Sequence, residues 1–455
     1  MGAAGLFFGR LITMLGNMPT STDFREMRGM DSDERRETKR PETKRPQVVI
    51  VGAGFGGLQA AKGLAKANVE ISLVDARNHH CFQPLLYQVA TAALSPADVA
   101  WPIRAILRKQ QNVRVIMARV LAVDVQARMV RTHEIELAYD YLILATGATH
   151  SYFGHDDWAP FAPGLKHIAD ATEIRRRFLL AFEHAEIVED DAQRERLLTF
   201  VIVGGGATGV EMAGAFAEVA QRTLRHDFRH IDPRRSRIIL IEAGPRLLPT
   251  FPQSLSDYAT RSLKGMGVEV ELNRKVVNCD AQGVSFEGGR IEAATVIWAA
   301  GVVASPAANW IGAEADRAGR IKVNPDLSVP GHAEIFAIGD TAMVSGSRPI
   351  PGIASAAKQM GSYVARVIAA RARGKPAPGP FVYHHLGDLA TIGRRSAVVK
   401  LGVFQLTGLL GWLFWSAVHI YFLIGVRNRF VVAVNWLWSY LTFQRGARLI
   451  GGAQQ

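Results

Sequence analysis

From residue 47 onward the chain is punctuated by short apolar runs that end in glycine or acid. Val48-Val49-Ile50-Val51 has strand length, Gly52-Ala53-Gly54-Phe55-Gly56-Gly57 follows as a turn, and helix-favouring residues continue through Ala67. The pattern predicts strand, glycine turn and helix. A further strand, Glu70 to Val74, ends at Asp75. A second copy starts at Thr199: Phe200-Val201-Ile202-Val203, then Gly204-Gly205-Gly206-Ala207-Thr208-Gly209, a helix to about Arg222, and a strand Arg237 to Ile241 ending at Glu242. Gly52 and Gly204 stand a domain's length apart, so the repeat is a duplicated unit rather than a short solenoid element.

Each glycine run has a physical logic. One glycine makes the tight turn, the next lets backbone N–H groups approach a pyrophosphate, and the third packs helix on strand. The helix N-terminus then receives the negative charge. Asp75 and Glu242, at the ends of the second strands, are placed to accept from ribose hydroxyls. Gly52, Gly54, Gly56 and Gly57 and then Gly204, Gly206 and Gly209 are therefore expected to hold two dinucleotides. A flavin paired with a nicotinamide is the economical choice, because hydride passes readily between them. Glu242 would repel a 2′-phosphate and so favours NADH over NADPH, with Arg246 nearby as the opposing feature.

Composition narrows the class. The chain has 455 residues, 48% hydrophobic and 21% charged, with 43 glycines and 20 prolines dispersed among apolar runs. This is a globular α/β composition. Two cysteines, Cys81 and Cys279, exclude a disulfide framework, a four-cysteine zinc site and a cluster held by the chain's own thiolates. The adjacent pairs His79-His80 and His384-His385 point in different directions and lack a carboxylate cluster, so no metal is expected.

The net charge of +12 is unevenly placed. After Asp388 there is no acidic residue, while Arg394, Arg395, Lys400, Arg427, Arg429, Arg445 and Arg448 supply seven positive charges. Four of the eight tryptophans (Trp412, Trp415, Trp436, Trp438) lie there too, interleaved with apolar runs. That mixture suits an anionic membrane surface. A nucleic-acid face would cluster its basic residues on a polar surface, and nucleic acid is not expected as a partner. Leu401 to Val426 carries no charge and is long enough for a transmembrane helix. Ala397 to Leu406, however, has strand character and is expected to close the first sheet. The remainder predicts two interfacial helices, Gly408 to Val426 and Phe430 to Phe443. In the second, Asn428, Asn435, Ser439 and Thr442 form one face and Val431, Val434, Trp438 and Leu441 another.

Two further strands end in Thr146-Gly147 and Gly339-Asp340, and Ala299-Ala300-Gly301 closes the second unit. The order of these motifs resembles the two-dinucleotide-binding-domain flavoprotein reductases. With Phe82 to Thr91, Gly209-Val210-Glu211, Leu389 to Arg394 and the basic, tryptophan-rich tail, the resemblance becomes one to the type II NADH:quinone oxidoreductases, covering about residues 47 to 450. It implies FAD in the first unit with Asp340 on the ribityl chain, NADH in the second, and a membrane quinone as acceptor. Glu211 is implied near the nicotinamide–flavin stack, in NADH binding or proton handling. Gln359 is implied on the quinone side, together with Ser355, which stands where the family's Ala-Gln-x-Ala-x-Gln signature has its first glutamine. A lysine common before the Gly-x-Leu-Ala-Thr block is replaced by Leu386. Cys81 and Cys279 match neither the redox pair of disulfide reductases nor the cysteines of sulfide:quinone reductases. A soluble ferredoxin- or rubredoxin-type reductase and a flavin-bearing signalling protein are the alternatives.

The expected fold is α/β: two Rossmann-like dinucleotide-binding domains, the second inserted in the first, plus a C-terminal membrane-associating helical segment. Residues 1–46 read as a disordered extension, 47–160 as the first part of the FAD domain, 161–310 as the NADH domain, 311–406 as the second FAD part with the quinone-side segment, and 407–455 as membrane-associating helices. The expected location is peripheral, on the cytoplasmic face of a bacterial inner membrane. A homodimer is left open.

Overall fold

The computed structural model describes residues 45–345, 349–442 and 446–451, so the expected N-terminal extension falls outside the described residues but for its last two positions. Strand β1 (Gln47–Val51) leads through the first glycine turn into helix α1 (Phe55–Gly63), and β2 (Glu70–Asp75) returns beside β1. After β3 (Val113–Met117) and β4 (Tyr141–Leu144), helix α2 (Ile168–Ile187) precedes a second sheet of β5 (Thr199–Val203), β6 (Arg237–Ile241), β7 (Val268–Glu271) and β8 (Thr295–Trp298). Helix α3 (Ala207–Glu218) opens at the second glycine turn. The chain then forms β9 (Ser328–Val329), β10 (His332–Ala337) and helix α4 (Ala354–Arg371). It ends with β11 (Asp388–Gly393), β12 (Ser396–Leu401), β13 (Phe404–Thr407) and helices α5 (Gly408–Phe422) and α6 (Val426–Thr442).

The first sheet has the order β9-β10-β4-β1-β2-β3 and the second β7-β6-β5-β8. In each, the chain begins on a central strand, winds one way, and then jumps to the other side. A crevice therefore opens at the carboxyl ends of β1 and β4, and again of β5 and β8. β5 is buried along its whole length, which its unbroken apolar sequence requires. The second unit is inserted in the first: β10 pairs Ile335 with Leu142 of β4, with the whole second sheet between them in sequence. Ala148–His150 and Val302–Ala304 pair antiparallel where the chain leaves and re-enters the first unit.

Ala397–Leu406 does not close the first sheet. Its residues lie in β12 and β13, which with β11 make a separate antiparallel sheet. That sheet packs on α3, where Gly214 admits the Ile392 carbonyl oxygen to 1.5 Å from the position a Cβ would take. Only a residue without a side chain permits so close a helix–strand approach.

No described helix is long and apolar enough to cross a membrane. On α5, Gly411, Trp415 and Ser416 face inward, whereas Leu409, Leu410 and Leu413 are exposed. On α6, Asn428 and Val432 are buried and Phe430, Val434, Leu437 and Trp438 are exposed. Asn428, of the expected polar face, turns inward and donates from Nδ2 to the Ala97 carbonyl at 3.4 Å, while Val434 and Trp438, of the expected apolar face, point outward. An amide finds its partners in protein, so it turns in and leaves the outer face apolar.

Candidate active site

The two glycine turns are built alike. Gly52 and Gly204 adopt φ of +100° and +113°, and a Cβ on either would lie 2.3 Å from Ala145 O or 2.6 Å from Ala299 O. A Cβ on Gly57 or Gly209 would stand 1.8 Å from the carbonyl oxygen of Gly52 or Gly204. The turn glycines and packing glycines are thus required by the protein itself. The middle glycines are not: Gly54 (φ −66°) and Gly206 (φ −71°) have backbones open to any residue, and a Cβ there would meet nothing within 4 Å. Empty space over the N-terminus of a helix, kept open by a glycine that neither backbone nor packing needs, fits a pyrophosphate approaching the N–H groups. The residues present fit one dinucleotide at each turn.

Both strand-end carboxylates fasten their turn. Asp75 accepts from Ala53 N at 2.7 Å and Arg77 N at 2.8 Å, and Glu242 from Gly205 N and Gly244 N, each at 2.6 Å. Arg246 is committed elsewhere, donating to the carbonyls of Pro249 (2.7 Å) and Phe251 (3.1 Å). At the first crevice, Thr146 and Gly147 meet the Gly339-Asp340-Thr341 turn. Thr341 Oγ1 accepts from Gly147 N at 2.9 Å and lies 3.1 Å from Thr146 Oγ1, which also touches Ser305 Oγ at 2.5 Å. Gly339 and Asp340 line an opening of about 620 Å³ together with Ala148, Lys166, Arg320, Ala356 and Met360. Gly301 lies at the seam, where a Cβ would sit 2.6 Å from the Phe153 ring.

Glu211, on the second turn of α3, meets the Leu389–Arg394 block: Thr391 N donates to its Oε1 at 3.4 Å. Burial pushes its carboxyl up to about 8, opposed by that single N–H donor. It lines an opening of about 600 Å³ with Gln88, Glu218, Arg394, Trp412, Trp415 and Trp436. Trp415 stacks on Trp436 at 5.3 Å and on His419 at 4.1 Å, and Trp436 Nε1 donates to Gln88 Oε1 at 2.7 Å. Gln359 does not line this opening. Its amide is paired with the backbone of His384, donating to O at 2.8 Å and accepting from N at 3.0 Å. Ser355 hydrogen-bonds Tyr383 on the same segment. The structure therefore groups Gln359 with Ser355, and groups Glu211 with the tail.

Residues 46–361 match the family described as pyridine nucleotide-disulphide oxidoreductase, and residues 385–445 match the NDH2 C-terminal domain. The type II NADH:quinone oxidoreductase NdhA of Mycobacterium tuberculosis is 46% identical over 423 residues, covering 89% of each chain. The same organism's Ndh is 43% identical over 438 residues, 93% of this chain and 94% of that one. The chain belongs to the type II NADH:quinone oxidoreductase family. A structure of the Plasmodium falciparum NDH2 in complex with NADH superposes with a TM-score of 0.82 at 22% identity, covering 90% of this chain and all of that one. Cys81 and Cys279 are both free, and burial pushes each thiol up to about 12.

Three residues at these sites carry no local signal in the sequence. His80 is buried, with Nδ1 2.8 Å from the Ala53 carbonyl, and burial lowers its ring to about 4, so it is neutral. It supports the first turn, which a reading of adjacent histidines as candidate ligands does not suggest. Lys358 lies over the rings of Phe55 (5.7 Å) and Phe422 (4.8 Å), and burial lowers its ammonium to about 8. It joins the first glycine turn to α5. Gln88 stands in the Phe82–Thr91 block, but its pairing with Trp436 spans most of the chain and is visible only in the fold.

Proposed function

We propose that the protein oxidises NADH and passes two electrons through FAD to a membrane quinone, without moving protons across the membrane. The observation that carries this reading is the pair of glycine turns with open middle glycines, set in a chain of the type II family. With FAD bound, the chemistry available is hydride acceptance from a nicotinamide and two-electron delivery to a quinone. We assign FAD to the first unit, held by Gly52, Gly54, Gly56, Gly57, Asp75, Thr146, Gly147, Gly339 and Asp340. NADH is assigned to the second, at Gly204, Gly206, Gly209, Glu242 and Gly301. The first unit comprises residues 47–160 and 311–406, the second 161–310.

Glu211 is suited to handle a proton. Its raised carboxyl is largely protonated at neutral pH, and it shares an opening with the tail tryptophans through which a quinone ring can reach it. Gln359 and Ser355 hold the 383–384 segment on the quinone side. The apolar outer faces of α5 and α6, with Arg427 and Arg429 on the first turn of α6, fit a bilayer interface. The membrane face is assigned as the cytoplasmic face of a bacterial inner membrane, with protons for quinol taken from that same side. The chain functions there alone or as a homodimer.

The test is rapid NADH oxidation by detergent-extracted, yellow protein with a short-chain quinone, against NADPH as control. A colourless protein that does not take up FAD, or one inert toward quinone, overturns the reading.

A further inference from the structure

The opening beside Gly339 and Asp340 is lined by three charged residues, Lys166, Arg320 and Asp340. Arg320 is already neutralised, with Nη2 2.7 Å and Nε 2.8 Å from Asp316 Oδ2. Lys166 is not. Its backbone is fixed on both sides, N–H donating to Asp170 Oδ2 at 2.9 Å and carbonyl accepting from Gln83 Nε2 at 3.3 Å. Its ammonium has neither a carboxylate nor a hydrogen-bond partner among the described residues. The nearest acid along the chain, Asp170, is occupied: it caps α2 by accepting from the N–H groups of Lys166 and His167, and it contacts His150 Nε2 at 3.2 Å. A lysine on the wall of that opening, with its backbone pinned and its ammonium unmatched, is a charge waiting for a ligand's charge.

The chemistry of the site supplies one. Hydride transfer breaks the C–H bond at C4 of the nicotinamide and forms an N–H bond on the flavin, moving two electrons and one proton. The nicotinamide gains a positive charge and the flavin ring, neutral before, a negative one. We propose that Lys166 is the positioning residue whose ammonium offsets that negative charge, favouring the reduced over the oxidised ring. This rests on the assignment of FAD to the first unit.

Sulfite tests it without turnover. The anion adds to the oxidised flavin through a new N–S bond, leaves a negative ring, and bleaches the yellow absorbance, so its dissociation constant reports stabilisation of that charge. Lys166→Met should weaken sulfite binding at least tenfold, and Lys166→Arg should stay within threefold of wild type. The two-electron midpoint potential should fall by about 30 mV for each tenfold loss of preference for the reduced ring. Arg320→Met, which removes a cation already paired, should stay within threefold.

Wild-type affinity for sulfite in FAD-loaded Lys166→Met overturns the proposal, as does a larger effect of Arg320→Met. Loss of FAD from Lys166→Met also overturns it, since the role assigned concerns the reduced ring and not retention of the oxidised one. Wild-type protein that takes up no FAD strikes instead at the underlying assignment, which separates the two failures.

Discussion

Thr391 N lies 3.4 Å from Glu211 Oε1, and Arg394 N donates to Glu218 Oε1, so two carboxylates of α3 grip the β11 turn. The helix that opens at the second glycine turn is thus bound to the strand that leads into the tail.

Glu211→Gln should keep FAD and slow the proton-coupled quinone half-reaction more than flavin reduction by NADH. In wild type, quinone reduction should fall as pH rises through about 8, where Glu211 ionises, and that limb should vanish in the variant. The same shift has a stability consequence. A carboxyl raised above its unfolded value loses stabilisation as pH rises from its ordinary range toward 8, so the decline in Tm over that window should be shallower in Glu211→Gln. Stopped-flow half-reactions and melting curves between pH 5 and 9 check both.

Glu242→Gln retains an acceptor for one of the two turn N–H groups and removes the charge. NADPH use should rise relative to NADH by about fivefold or more, equivalent to ~1 kcal/mol of like-charge repulsion. A ratio of kcat/KM values unchanged from wild type would remove Glu242 from cofactor selection.

The glycines of one turn should separate by role. Gly57→Ala places a carbon 1.8 Å from a carbonyl oxygen and should cost ~3 kcal/mol or more in unfolding free energy. Gly54→Ala should fold within about 1 kcal/mol of wild type yet bind FAD about tenfold more weakly or worse, a loss of ~1.4 kcal/mol. Denaturant melts of FAD-free protein and flavin fluorescence titration measure the two effects.

Gln359→Ala frees both the N–H and the carbonyl of His384 and should cost about 1–2 kcal/mol for the two hydrogen bonds. Quinone KM should rise, with flavin reduction by NADH little changed. Equal damage to both half-reactions would place Gln359 outside the quinone side.

Leu410→Asp with Leu437→Asp puts charges on the outer faces of α5 and α6 without touching Trp415 or Val432. The protein should leave membranes at moderate salt, keep FAD, reduce ferricyanide with NADH, and lose most activity toward quinone embedded in liposomes. Wild type should need detergent, because apolar burial is not screened by ions. Sedimentation with vesicles decides it.

The parts of the fold that follow from local rules were legible in the sequence. Unbroken apolar runs into glycine turns placed β1, β5 and their helices, because backbone sterics at Gly52 and Gly204 leave few alternatives. What was not legible depended on contacts across the fold. Arg246 read as a phosphate partner until its guanidinium was found on the carbonyls of its own loop. Gln359 read as a ligand-facing amide, yet both its ends are taken by His384. The inward turn of Asn428 on α6 was not legible either, because its partner, the Ala97 carbonyl, lies far away in the sequence.

The helices of the tail share one hydrophobic cluster with the second unit, Trp415, Leu423 and Val432 belonging with Phe178 and Phe200, and with Val398 of β12 between them in the chain. Attachment and folding are therefore inherited together. By the same token, proteolytic clipping near residue 407 would not release a working soluble form, but would open the interior of the molecule.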